Sequence, residues 1–467
     1  MTKRIGTPYN VIKLSEEEIC LILFEMRFTE NKMEKKGEMI NFLLKAFGVV
    51  VGVLLTGFLL LAVVYMLPTG RMRSHIAESD EVFNYEGIYP QLMYGIKSSQ
   101  LDNYTDGLMY ATAIHPGSGH VLRDAMYNAR YEYADTSMVQ GLNDYANDVS
   151  FKESLRYEVG YARYWHGYLI ILKPLLLFLN VSEIRMLNLI MQTFFLSVLL
   201  YMIIRKYGIA YTVPVIMMAV LLNPVVMPLS LQFSWVYYIS LLGGIVVLYM
   251  RQEPDSDAYL FLFIILGMLT SYFDLLTYPL ITLGLPLVLL LPKCRALNPA
   301  RRILRTITVC ILWFVGYAAM WIGKWIFAFI FGHINLLQEL SYKISERTSM
   351  VGYSEKRITL WEPFAKVLSV ALNKPYAFFL ICLFIGYLVW MIYQRRKSDR
   401  EEKYNIKDIL LYILPYVFVA FLPLIWYCVF TNHTHIHYWF AYRELSVTVV
   451  AIGTMALEKN DMEKYMK

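Results

Sequence analysis

Between Ala46 and Leu67 only Thr56 and glycines interrupt an apolar run of 22 positions. A helix of that length crosses the roughly 30 Å of bilayer hydrocarbon, where a spanning segment must satisfy its own backbone. Similar runs recur to the end of the 467-residue chain, which is 57% hydrophobic and 17% charged, where soluble globular chains carry about a quarter charged residues. The expected fold class is all-α: a polytopic membrane protein of about ten transmembrane helices with a large helical first extracytoplasmic loop. The spans are read at 42–67, 186–204, 210–228, 233–250, 259–273, 277–292, 304–331, 376–393, 408–430 and 438–457.

Orientation follows from the short basic loops, which stay on the cytoplasmic side. Arg205-Lys206, Arg251, Lys293–Arg305, the run "QRRKSDREEK" at 394–403 and the lysines of the tail all fall inside if the amino terminus does. Residues 1–41 are then a cytoplasmic segment, 68–185 an extracytoplasmic loop, 186–457 a helical bundle and 458–467 a cytoplasmic tail. Residues 332–375 run against this scheme, with six basic residues expected outside, interleaved with Glu339, Glu346, Glu355 and Glu362. "HGYLIILKPLLLFLN" (166–180) is short, with Lys173-Pro174 at its centre, and reads as a helix lying on the outer leaflet. "MEKKGEM" at Met33 looks like an ordinary start, so residues 1–32 read as a dispensable extension. The net charge of +6 reflects cytoplasmic loops meeting anionic lipid, and no nucleic-acid partner is implied. The five cysteines lack zinc-ligand spacing, and none falls in an outside loop.

Candidate chemistry gathers on the outer side. "SHIAESDEVFNYEG" reads as a helix from near Ser74 to Gly87 carrying Asp80. In "SSQLDNYTDGLM", Asp102 and Asp106 stand four apart, on one face of a helix. Neighbouring carboxylates raise each other's pKa and suit one of them to accept a proton; the same spacing also serves helix caps. "YEVGYARYWHGY" places Arg163 and His166 among aromatics, where they suit a phosphate or an interfacial belt. Asp274 ends the fifth span. Lys324 sits inside the seventh, with no Asp, Glu, Lys or Arg within fourteen positions on either side, so it snorkels or meets an anion. In "NHTHIHYWFAYR", a strand would align His433, His435 and His437, whereas a helix aligns only the first and last. They read as a pocket lip for a sugar or phosphate beside Arg443 and not as a metal site, since no other local ligand type is present. No cofactor is implied, and a divalent metal stays open.

This layout of one span, a large acidic outer loop and a many-span bundle resembles the GT-C superfamily of membrane glycosyltransferases. The stretches "QLDNYTDGLM", "YARYWHGYLIILKPLLLF", "TSYFDLLTYPL" and "NHTHIHYWFAYR" also resemble a membrane-protein family of Gram-positive bacteria, which brings no substrate with it. The superfamily resemblance implies transfer of a sugar from a polyprenyl-phosphate carrier to a cell-surface glycan, polymer or protein at the outer face of the cell membrane. It implies Asp102 or Asp106 as base, Asp80 in reserve by its position after the first span, and Lys324, Arg163 and Arg443 as phosphate ligands. A transporter, flippase or polymerase for lipid-linked saccharides is the alternative. The topology is directly testable: cysteines placed in 120–150 should react with an impermeant thiol reagent on intact cells, and cysteines in 396–402 should not. The reverse labelling would put the candidate residues on the wrong side.

Overall fold

The computed structural model describes residues 16–149, 154–351, 357–373 and 406–465, with isolated positions between 378 and 393. The span expected at 376–393 lies partly outside the described residues, the basic run at 394–403 and residues 1–15 entirely so. Among the described residues the chain is predominantly helical. Six helices are long and apolar enough to cross a membrane, and the segments 209–222, 257–273 and 281–290 are shorter apolar helices. Each expected span within the described residues coincides with one of these nine.

The chain enters through α1 (Glu16–Tyr65). The segment after α1 then folds as α2 (Gly70–Ala77), α3 (Asp80–Glu86), α4 (Asn103–Ile114) and α5 (Val121–Tyr127). The single helix expected from Ser74 to Gly87 is thus two. Ser79 sits at the break, its hydroxyl donating to His75 O (2.9 Å) and accepting from Val181 N (3.0 Å). The loop also holds a two-stranded antiparallel sheet, β1 (Arg130–Tyr133) and β2 (Arg156–Val159), with Arg130 opposite Val159 and α6 (Met138–Ala146) between them in the chain. The proline-containing segment at 166–180 is reduced to α7 (Leu169–Leu176), with Leu169, Leu172, Lys173 and Leu176 buried.

The bundle follows. A capping box of Asn180 and Glu183 opens α8 (Val181–Tyr207). Next come α9 (Thr212–Leu222), α10 (Val226–Leu229), α11 (Leu231–Tyr249), α12 (Asp257–Phe273) and α13 (Ile281–Leu290). The long α14 (Pro299–Gly332) leads to α15 (Leu337–Thr348) and α16 (Trp361–Ala371). The chain closes with α17 (Ile406–Val429), α18 (Thr431–Ile436), α19 (Tyr438–Ala441) and α20 (Leu445–Tyr465). The closest helix pair is α12 with α14. A Cβ on Gly267 would lie 2.0 Å from Trp313 O, and one on Gly316 would lie 2.2 Å from Ile264 O. Small residues therefore let the two backbones touch, as membrane helices do when van der Waals contact drives association.

Buried charges hold the helix ends. The Asp106 carboxylate accepts from Leu231 N (2.9 Å), Gln232 N (3.0 Å) and Ser230 Oγ (3.2 Å), and so caps the start of α11. Lys293 donates to Val247 O (2.6 Å) and Met250 O (2.7 Å) at its other end. Lys173 donates to Ala113 O (2.7 Å) at the end of α4, and Lys324 to Met126 O (3.0 Å), Ala125 O (3.3 Å) and Asn128 Oδ1 (2.7 Å) at the end of α5. Terminal amides and carbonyls lack helical partners, and anions suit the amino end as cations suit the carboxyl end. Asp106→Ala leaves two buried amides unpaired and should cost about 1–3 kcal/mol, read as a lower thermal midpoint in detergent. Asp106→Asn still accepts a hydrogen bond and should lose less. An Ala variant that melts with the wild type would show that the cap does not hold α11.

Candidate functional site

α4 begins at an N-cap carboxylate that also faces an open space. Asp102 accepts from Thr105 N at Oδ1 (3.1 Å) and from Thr105 Oγ1 at Oδ2 (2.8 Å), which fixes its rotamer. The same side chain lines a cavity of about 560 Å³. Burial pushes its pKa up to about 6, against the pull of the Thr105 hydrogen bonds and the charge of Arg443. Asp106, one turn on, is a different group. Burial raises it further, to about 7, but its oxygens are spent on α11 and it does not line the cavity. Asp80 opens α3 with Oδ2 3.5 Å from Asn147 Nδ2, also away from the cavity.

The opposite wall is cationic. Arg163 packs over the Tyr161 ring (4.5 Å to the centroid) and donates to Glu339 Oε1 (2.5 Å). From α15, Lys343 pairs with Glu346 (2.8 Å), and Arg347 lies 5.7 Å from the Tyr164 ring centre. Both reach the cavity, as does Lys97 from the loop before α4. Lys343, Glu346 and Arg347 come from the 332–375 segment, whose charges run against the expected orientation. Their place in the cavity lining gives these charges a reason to be there apart from orientation.

α18 settles how the histidines are arranged. Its helical turn brings His433 and His437 together, with ring centres 4.8 Å apart, and both line the cavity. His435 projects elsewhere, to Lys366 Nζ (2.9 Å). His433 donates from Nε2 to Leu276 O (3.1 Å), leaving Nδ1 as an acceptor. Burial and the charge of Arg347 push His437 down to about 4, and burial foremost holds His433 well below its ordinary value. Both imidazoles are therefore neutral near pH 7 and can exchange hydrogen bonds with hydroxyls. Tyr89, Tyr104, Tyr438, Trp439 and Phe440 add aromatic surface, and Gln232 adds an amide whose Oε1 has no hydrogen-bond partner.

The other sequence candidates lie outside the lining. His166, at a φ of 56°, binds Tyr168 Oη (2.7 Å) and Tyr161 O (2.9 Å) inside the loop core. Asp274 accepts from Thr277 N (3.1 Å) and Thr277 Oγ1 (2.5 Å) beyond the end of α12. Lys324 is committed to the end of α5. Arg443 is buried, donating from Nε to Leu222 O (3.2 Å) with its guanidinium 4.0 Å from the Phe233 ring centre. Among the described residues its Nη1 and Nη2 have no hydrogen-bond partner, and its charge lowers the pKa of Asp102.

Comparison of the chain with protein families, with curated proteins and with solved structures found no match. The reading of the site therefore stands on its geometry: a carboxylate titrating near 6, a cationic wall, two neutral imidazoles and aromatic rings. Among the described residues no group of three His, Cys, Asp or Glu converges as metal ligands do. Chelators should accordingly leave the purified protein folded, since a structural zinc contributes folding energy outright. Stoichiometric zinc on elemental analysis, with unfolding on its removal, would overturn this.

Proposed function

We propose that this protein is a membrane glycosyltransferase that moves a sugar from a polyprenyl-phosphate carrier to an acceptor hydroxyl at the outer face of the cell membrane. The reading includes the ten-span topology with both termini cytoplasmic. The observation that carries it is the meeting, in one cavity, of Asp102 with Arg163, Lys343 and Arg347. Asp102 takes the proton of the acceptor hydroxyl as its oxygen bonds to the anomeric carbon. The bond from that carbon to the phosphate oxygen breaks, and the phosphate keeps the electron pair. Arg163, Lys343 and Arg347 stabilise the added charge on the leaving group, while His433 and His437 serve the sugar hydroxyls.

An apolar groove of about 420 Å³ between α7, α8, α11 and α12 supports a lipid-borne donor. Its lining includes Leu231 and Phe273, close in the chain to Gln232 and Leu275 of the cavity lining, and its apolar surface suits a polyprenyl chain. Against a transporter stands the far end of α14, where Glu458 pairs with Arg295 and with Arg302 (3.1 Å) and accepts from Tyr412 Oη (3.0 Å). That buried network ties α14, α17 and α20 together at the end remote from the cavity.

A base works ionised, so turnover should rise as pH climbs through about 6, the value to which burial lifts Asp102, and fall below it. Asp102→Asn keeps the cap but cannot take a proton; turnover should drop by roughly two to four orders of magnitude at matched protein level while donor binding persists. Arg347→Gln should weaken binding of a polyprenyl-phosphate analogue. Full sugar transfer by Asp102→Asn would remove the base and with it this reading.

A further inference from the structure

The turn that brings Tyr89, Lys97 and Gln100 into the cavity lining also carries Tyr94. Tyr94 is 103% exposed and Tyr85 is 93% exposed, while Tyr89 and Tyr104 are about half exposed. Tyr94 is nevertheless held firmly. It stands at the tip of a turn braced by Leu92 N to Ser99 O (3.2 Å), Leu101 N to Pro90 O (2.9 Å), and the Ser99 hydroxyl, which donates to Ile96 O (2.7 Å) and accepts from Met93 N (3.0 Å). Asn373, just past α16, donates from Nδ2 to Gly95 O (3.4 Å) and ties the tip to the end of that helix. From the foot of this turn a line of rings leads inward. Tyr104 stacks on Tyr89 (6.3 Å, 29°), and Tyr89 meets Trp439 edge-on (5.7 Å, 69°). Tyr89, Tyr104 and Trp439 all line the cavity with Asp102.

Ring faces with a phenol or indole edge suit a partner that is apolar on its flat side and hydroxylated at its rim. That is the chemistry of a pyranose, whose axial C–H bonds pack on an aromatic face while its hydroxyls bond sideways. A rigid aromatic spends little entropy on such a contact. Successive rings along one path suit successive units of a chain. From this we infer that Tyr94, Tyr104, Tyr89 and Trp439 form a track for a saccharide chain whose terminal hydroxyl reaches Asp102. The inference rests on the transferase reading and narrows its acceptor to a glycan.

The test is binding, measured apart from transfer. Purified protein in phosphatidylglycerol–phosphatidylcholine nanodiscs is titrated with neutral hexasaccharides of α-1,4-glucose, β-1,4-glucose and β-1,4-N-acetylglucosamine. At least one should bind, and Tyr94→Ala and Tyr104→Ala should each weaken it by about tenfold, roughly one aromatic contact. Asp102→Asn should bind as the wild type does. No binding by any hexasaccharide, or equal binding by the Tyr variants, overturns the track. So does quenching of a Tyr94→Trp variant by brominated lipid, which would place the tip in the membrane. Loss of transfer in Asp102→Asn without saccharide binding would keep the transferase reading and reject the track. Saccharide binding with full transfer by Asp102→Asn would do the opposite.

Discussion

Helix ends in an apolar environment are the constraint on which the rest of this structure depends. Each leaves amides or carbonyls without helical partners, and lipid supplies none. The bundle contains several short helices, so many such ends are buried. Asp106 and Lys293 close the two ends of α11, Glu444 accepts from Leu280 N ahead of α13, and Lys173 and Lys324 close the ends of α4 and α5. In a span, a buried lysine reads first as an unpaid charge; here it is the partner of backbone carbonyls that would otherwise be stranded. The segment between α1 and α8 is thus fastened to the bundle by the hydrogen bonds of Lys324 and Asp106 as well as by apolar packing.

That same rule separates the groups available for chemistry from those already spent. Asp102 and Asp106 are one turn apart and both buried, and burial raises both. Asp106 answers three donors on another element, whereas Asp102 answers only Thr105 and keeps a face toward the cavity. Arg163 and Lys343 carry carboxylate partners, yet remain on the wall.

Six helices of spanning length were legible because hydrocarbon thickness and backbone satisfaction leave long apolar runs little choice. Period stated that a helix would pair His433 with His437 but left a strand open, and the Asp102–Asp106 spacing was visible without showing that the two serve different partners. What period cannot state is which partner lies across the fold. Nothing within fourteen residues of Lys324 announces Asn128, and nothing near Asp106 announces Leu231. Lys343 and Arg347 were visible in the sequence but weighed as topology signals, when their position on a cavity wall gives them another reason to be there. The small sheet of β1 and β2 was hidden because each strand is only four residues of mixed burial.

The contact of Gly267 and Gly316 with the facing backbones bears on motion. Where two helices meet through interlocking side chains, each can slip by exchanging rotamers. Backbone lying directly on backbone offers no such intermediate, because the first step of a slide is a collision of carbonyl with carbon. α12 and α14 therefore form one closely packed beam. A mechanism that needs this pair to slide would have to separate it first, while one in which substrates enter and leave at a single end leaves the beam undisturbed.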